Sequence, residues 1–162
     1  MYPEPSALRN EGGDDGTGGV RGRILAIDYG EKRVGLALSD PLRVLAGGAG
    51  TISNNANLAG AIKKLIEDKD IRAIVVGLPL APDGGRGKQA LEVEAFVAVL
   101  RRQVGVPIMT WDESSTSVDA RRTFIEGGMR KKKRREKGRV DEMAARLLLQ
   151  DYLDSQSSQR SA

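Results

Sequence analysis

The sequence predicts an α/β protein with one mixed five-stranded sheet flanked by helices. Short apolar runs rich in β-branched residues alternate with amphipathic segments of helical period. The first three runs follow one another too closely for a helix to lie between them. The chain has 162 residues, 40% of them hydrophobic, which suits one domain with one core. We expect a disordered tail over 1–22, the folded domain over 23–154 and a flexible C-terminal tail over 155–162.

The strands are predicted from their apolar runs and the turn residues that bound them. In chain order they are 23–28, 33–40, 44–52, 71–79 and 106–111. The first three should form an antiparallel meander. Gly35 lies inside the second strand, where glycine often marks a bulge or the close approach of another backbone.

Helices are predicted from apolar residues that recur on one helical face. They span 57–70, 88–103, 115–126 and 140–154. The resulting order, βββαβαβα, is that of the RNase H-like fold. Strands one, four and five should then be parallel neighbours, so that their carboxyl ends share one edge of the sheet.

The composition excludes several kinds of chemistry. The chain has no Cys and no His, which removes thiol nucleophiles, zinc ribbons and the Ser-His-Asp arrangement. Its net charge is +4 although residues 1–22 are net acidic, and such a basic domain favours nucleic acid as a partner. No apolar stretch approaches the roughly 20 residues that span a bilayer, and no signal pattern opens the chain. We therefore expect a cytoplasmic protein with no membrane partner.

Acidic residues stand at three points where the predicted fold brings chain segments together. Asp28 ends the first strand, Glu113 follows the fifth, and Asp141 opens the last helix. Taken singly, each has a structural explanation as a turn former or a helix-terminal charge. Together at one sheet edge they would repel one another unless cations lay between them. Oxygen ligands without His or Cys select Mg²⁺ or Mn²⁺.

Two such ions, roughly 3.5–4 Å apart, can activate a water and stabilise the leaving oxygen in phosphodiester hydrolysis. In this scheme Asp28 bridges the ions, while Glu113 and Asp141 each complete one coordination sphere. We expect Asp141 to face the sheet edge. The neighbouring Glu142 should instead form a surface ion pair with Arg146, beside a buried helical face. That face is predicted to comprise Val140, Met143, Ala144 and Leu147.

Two basic elements are candidates for contact with phosphate groups. The glycine turn after the fourth strand could expose backbone N–H groups to an anion, although a plain β–α turn explains it equally well. The segment 127–139 holds eight Arg or Lys residues, and its alternative is a solvated loop. The predicted nucleic-acid contacts are Lys32, Arg33, Gly84, Gly85, Arg86, Lys88, Arg130, Lys131, Lys132, Lys133, Arg134 and Arg135.

Four stretches resemble the YqgF/RuvX family, Holliday-junction-resolvase-like nucleases related to RuvC. They read ILAIDYGEKRVGLALSD, VVGLPLAPDGGRG, WDES and VDEMAA, and the similarity covers about 23–154. By motif position, Asp28, Glu113 and Asp141 match the family's three presumed metal ligands. The family usually has Arg after Asp-Glu, where this chain has Ser114.

The resemblance implies an RNase H-like, divalent-metal-dependent nuclease. It would trim the 5′ end of precursor 16S ribosomal RNA or, as the runner-up, resolve four-way DNA junctions. A homodimer is consistent with either role. Two rival readings stay open. The Asp-x-Gly turn also resembles the phosphate loop of sugar kinases and actin-like ATPases, but those proteins duplicate the fold. The other is a nucleic-acid-binding module without catalysis.

Overall fold

The computed structural model describes residues 22–81, 83–113 and 137–160, which contain five strands and three helices. The strands are β1 Arg23–Tyr29, β2 Arg33–Ser39, β3 Ala46–Ser53, β4 Ile71–Leu78 and β5 Ile108–Asp112. The helices are α1 Leu58–Asp68, α2 Lys88–Gln103 and α3 Lys137–Arg160. The helix predicted over 115–126 lies outside the described residues.

The strands form one sheet in the order β3-β2-β1-β4-β5. Strand β2 runs antiparallel to both β1 and β3, whereas β1 pairs parallel with β4 and β4 with β5. This confirms the predicted meander and the predicted parallel set. The carboxyl ends of β1, β4 and β5 consequently lie along one edge of the sheet, where open α/β sheets place their ligands.

Side-chain alternation along β1 divides the core into two layers. Leu25 and Ile27 pack with the apolar faces of α1 and α2, whereas Ile24 and Ala26 pack with α3. Asp28 continues the second series, so its side chain lies on the face of the sheet that α3 covers.

Helix α3 extends beyond both predicted ends. It begins at Lys137 rather than 140 and continues to Arg160, through most of the stretch 155–162 that was predicted as a flexible tail. Residues 139–160 contain no Gly or Pro to stop a helix. The hydroxyl of Ser155 donates a hydrogen bond of 2.7 Å to the carbonyl oxygen of Tyr152, so the polar end is compatible with helical geometry. None of the described helices is long and apolar enough to cross a membrane.

Two of the four residues predicted for the buried face of α3 are not buried. Met143 is exposed and Leu147 is only half-buried. Besides Val140 and Ala144, the buried positions are Ala145, Leu148, Leu149, Tyr152 and Leu153. The small alanines face the sheet because the helix backbone approaches it closely at this end. Apolar size alone therefore did not indicate the buried side.

Candidate active site

Asp28 is a buried acidic side chain near the carboxyl end of the central strand β1. It is 5% exposed, and the other buried polar side chain among the described residues is Ser39. Asp28 pairs directly with Gly35 of β2. On the other side, the β1–β4 register ends at Ile27 with Val76, and its next step sets Gly77 beside Asp28. Asp28 thus has a glycine on each neighbouring strand, and both glycines lie on the face covered by α3.

Asp141 lies directly against one of these glycines. A Cβ added at Gly35 would stand 2.1 Å from the carbonyl oxygen of Asp141 and 3.1 Å from its Cβ. Ala144 and Ala145, one turn further along α3, are fully buried. Small residues on both elements therefore let α3 touch the sheet and bring Asp141 beside the strand pair that carries Asp28.

Arg33 supplies a positive charge to the Asp141 carboxylate. Its Nε lies 3.3 Å from Asp141 Oδ2, and the two side chains are 37% and 20% exposed. Arg33 was predicted to contact nucleic acid, but in this structure it contacts an acidic residue of the site. Its backbone is fixed by pairing with Ser53 of β3. Asn54 reinforces the preceding turn, donating from Nδ2 to the carbonyl of Gly30.

Glu113 lies over the second glycine. A Cβ added at Gly77 would stand 2.0 Å from Glu113 Oε1, so only a glycine leaves room for the carboxylate in this position. The backbone N–H of Glu113 donates to the carbonyl oxygen of Leu78 over 3.1 Å, which ties the end of β5 to β4. Each glycine beside Asp28 is accordingly covered by one further acidic residue.

The three carboxylates suit a hard divalent cation by their chemistry and by the face they share. Oxygen donors without nitrogen or sulfur are the ligands that Mg²⁺ and Mn²⁺ prefer. In the described part of the chain, however, no group of three or more acidic side chains is already arranged around one point to hold an ion. Binding would therefore need these acidic side chains to rearrange.

Glu142 has a different role from the predicted surface ion pair with Arg146. Its carboxylate accepts a hydrogen bond from the backbone N–H of Gly50 in β3. It also lies over Gly48, where an added Cβ would come within 2.7 Å of its Cδ. Because the glycines of the edge strand β3 have no side chains, the Glu142 side chain can reach the backbone of that strand. Glu142 therefore fastens the first turns of α3 to the edge of the sheet.

The glycine turn after β4 does not present the two N–H groups predicted for an anion. The N–H of Gly84 donates to the carbonyl of Ala81, and that of Gly85 donates to Asp83 Oδ1, each over 2.8 Å. Gly84 has φ +82°, which explains the glycine there. The turn is closed by its own hydrogen bonds and resembles the plain β–α turn that was the alternative.

The other predicted cationic contacts have different surroundings. Arg86 forms an ion pair with Glu94 of α2. Lys88 is 92% exposed and lies 4.0 Å from Glu92, a weak surface pair. Lys32, in the β1–β2 turn, is exposed. Arg130, Lys131, Lys132, Lys133, Arg134 and Arg135, together with Ser114, lie outside the described residues.

Trp111 completes the row of residues on this face. It pairs with Gly77 and packs edge to face on Tyr152, with ring centroids 5.4 Å apart. Its indole Nε1 is buried and has no hydrogen-bond partner within the described residues. Sequence reasoning missed Gly77 and Trp111 as parts of the site. The sequence did hold an indication of Trp111: it precedes Glu113 by two residues and therefore lies on the same face of the strand.

Comparisons with known proteins agree with this architecture. The profile of the family described as "RuvX: Holliday junction resolvase" matches residues 22–155. A protein of Roseiflexus sp. (strain RS-1) named "Putative pre-16S rRNA nuclease" is 44% identical over 137 residues, covering 83% of this chain and 96% of the relative. A protein of the same name from Koribacter versatilis (strain Ellin345) is 41% identical, covering 87% and 92%.

One solved structure supports the fold independently of close sequence similarity. The structure described as T. thermophilus RuvC in complex with a Holliday junction substrate superposes with a TM-score of 0.51 at 14% identity. The match covers 83% of this chain and 95% of that one. The described sheet order is the RNase H-like order predicted from the sequence. By the profile match and the identities over most of both chains, this chain belongs to the RuvX family.

Proposed function

We propose that this protein is a divalent-metal-dependent nuclease that hydrolyses phosphodiester bonds in precursor 16S ribosomal RNA. The observation that carries the proposal is the arrangement around Asp28. This buried carboxylate has a glycine on each side, and Asp141 and Glu113 lie over those glycines. Three acids on one face at the same sheet edge repel one another, and a bound cation would relieve that repulsion.

The residues that would hold Mg²⁺ or Mn²⁺ are Asp28, Glu113 and Asp141. When bound, such an ion supplies an activated water and stabilises the charge that develops on the leaving oxygen. The protein contributes a rigid platform. Asp28 is held on the central strand, and the Glu113 backbone is tied to β4. Because the ion activates the water, this chemistry needs no side chain that titrates near neutral pH, which suits a chain without His.

The choice of substrate follows the names of the relatives. The proteins at 44% and 41% identity carry the ribosomal RNA name, which supports precursor 16S RNA as the substrate. A substrate of this kind would be met in the cytoplasm. Four-way DNA junctions are the second candidate, because the family description names Holliday junction resolvase. The basic balance of the chain suits the phosphate backbone of either nucleic acid.

A panel of labelled substrates tests the proposal. Purified protein would be incubated with Mn²⁺ or Mg²⁺ and four substrates: precursor 16S RNA, an unrelated single-stranded RNA, duplex DNA and a four-way junction. We expect cleavage near the 5′ end of the precursor that stops on addition of a chelator. Preferential cutting of the junction would favour the second candidate. Failure to cut any substrate, by protein that binds them, would support the non-catalytic binding module instead.

A further inference from the structure

The ion pair between Arg33 and Asp141 places a cation at a carboxylate proposed above as a metal ligand. Arg33 Nε lies 3.3 Å from Asp141 Oδ2. Arg33 also stands two positions before Gly35, on the same face of β2, where α3 touches the sheet. The guanidinium therefore lies on the same face of the sheet as Asp28, Glu113 and Asp141.

Asn54 holds the turn that leads into Arg33. The N–H of Asn54 donates to the carbonyl of Lys32 over 3.0 Å, and the amide of Asn54 donates to Gly30 over 2.8 Å. Gly30 itself stands so close to the turn that an added Cβ would lie 2.4 Å from the carbonyl oxygen of Arg33. These contacts fix the position of the Arg33 backbone. Its side chain then reaches Asp141 because α3 lies against this end of β2.

We propose that Arg33 is the built-in counter-cation of Asp141, which a divalent ion has to displace. Without the ion, the guanidinium offsets repulsion between Asp141 and the neighbouring acids. When the ion binds, two positive groups compete for one carboxylate, and their repulsion weakens the binding of the ion. Arg33 is in this sense a positioning residue that sets the metal affinity of the site. The inference rests on the proposed function, because it assumes that Asp141 belongs to a metal site.

The test measures Mn²⁺ affinity directly, without substrate, from the electron paramagnetic resonance signal of free Mn²⁺. The variants are Arg33→Gln, Arg33→Met, which keeps the apolar stem, and Arg33→Lys, which keeps the charge. A matched control is Arg72→Gln. Arg72 forms a similar exposed ion pair with Asp70, 2.8 Å long, beside the amino end of β4 and far from the acidic edge. Thermal melts by circular dichroism establish that each variant is folded.

We expect the Gln and Met variants to bind Mn²⁺ up to about fivefold more tightly than the wild type, the scale of a partly exposed charge interaction. Arg33→Lys should stay near the wild-type Kd, and Arg72→Gln should not change it. The difference should shrink at high salt, where charge interactions are screened. Both neutral variants should melt at a lower temperature without metal and gain more from its addition.

Two failures can be told apart. If Asp28→Asn abolishes Mn²⁺ binding but the Gln and Met variants bind as the wild type does or more weakly, the counter-cation proposal is overturned and the metal site stands. If the wild type shows no Mn²⁺ binding that depends on Asp28, the metal site and this inference fall together. Should Arg33→Gln not fold, Arg33→Met alone decides, by the same comparison with Arg33→Lys.

Discussion

Glu142 of α3 accepts a hydrogen bond from the backbone N–H of Gly50 in β3, so the helix that carries Asp141 is fastened to the edge of the sheet. Replacing Glu142 with Ala leaves that N–H without its partner. A hydrogen bond to a charged group contributes about 1.5–3 kcal/mol, so the free energy of unfolding should fall by roughly this amount. Glu142→Gln keeps an oxygen acceptor and should lose less.

Chemical denaturation of the two variants measures this contribution. The matched control is Glu92→Ala on α2, since Glu92 has only a 4.0 Å surface contact with Lys88. Its loss should change the stability by at most about 0.5 kcal/mol. Equal effects of Glu142→Ala and Glu92→Ala would show that the bond to Gly50 contributes nothing beyond a surface charge.

Gly35 is predicted to be irreplaceable for the packing of α3. In Gly35→Ala, the new methyl group would lie 2.1 Å from the carbonyl oxygen of Asp141, a rigid backbone atom. The helix has to move away, and overpacking of this kind costs about 1–3 kcal/mol or more. Gly60→Ala is the control, because nothing lies within 4 Å of its added Cβ in the first turn of α1. That variant should lose no stability, and helix propensity should add at most about 0.5–1 kcal/mol. A stable Gly35→Ala protein with full cleavage activity would refute the close approach.

Gly77→Ala should separate activity from stability. Its methyl group would meet Glu113 Oε1 at 2.0 Å, but this atom is the far end of a flexible side chain and can move. We expect the protein to remain folded, with a melting temperature within a few degrees of the wild type. Cleavage and Mn²⁺ affinity should both fall, because Glu113 is pushed from its place beside Asp28. Retention of both would argue that Glu113 serves elsewhere.

Asp40 supplies a pH dependence at the opposite end of the strands. Partial burial raises the pKa of Asp40, but hydrogen bonds from the N–H groups of Leu45, Val44 and Leu42 outweigh it and hold the pKa below its ordinary value of 3.8. The folded state therefore binds this proton less readily than the unfolded chain. The stabilisation is complete above about pH 4 and is lost as the pH falls through the folded-state value.

Thermal melts of the wild type and Asp40→Ala between pH 7 and pH 3 check this expectation. Ala is used because an Asn side chain would keep one of the two acceptor oxygens. The wild type should melt at a higher temperature at pH 7, and the gap should narrow below pH 4. A gap that is constant over the whole range would show that the Asp40 carboxylate charge does not stabilise the loop.

Much of the fold could be predicted because the patterns that indicate it are local. Helix α2 was predicted at the residues where it is found, 88–103, and the strand order followed from connection lengths and strand direction. The close approach at Gly35 could be predicted as well, since a glycine inside an apolar strand favours it. These signals need no knowledge of how helices and sheet are oriented.

The remaining contacts depend on that orientation. Whether Glu142 reaches Gly50, and whether Arg33 reaches Asp141, is decided by the rotation of α3 over the sheet, which local periodicity does not determine. The glycine turn was left with two alternatives for a related reason. Backbone N–H groups at Gly84 and Gly85 could point outward or close the turn on itself, and Asp83 decides in favour of closure.

The central claim is that a buried acid between two glycines forms the core of a metal-dependent nuclease site, and its most direct test compares Asp28→Asn with Asp112→Asn. Asp112 is exposed, and its position in β5 puts it on the opposite face from Trp111 and Glu113. With precursor 16S RNA and saturating Mn²⁺, Asp28→Asn should lose at least about a hundredfold in cleavage rate while remaining folded. Asp112→Asn should cleave at nearly the wild-type rate. Full activity in folded Asp28→Asn would contradict the account.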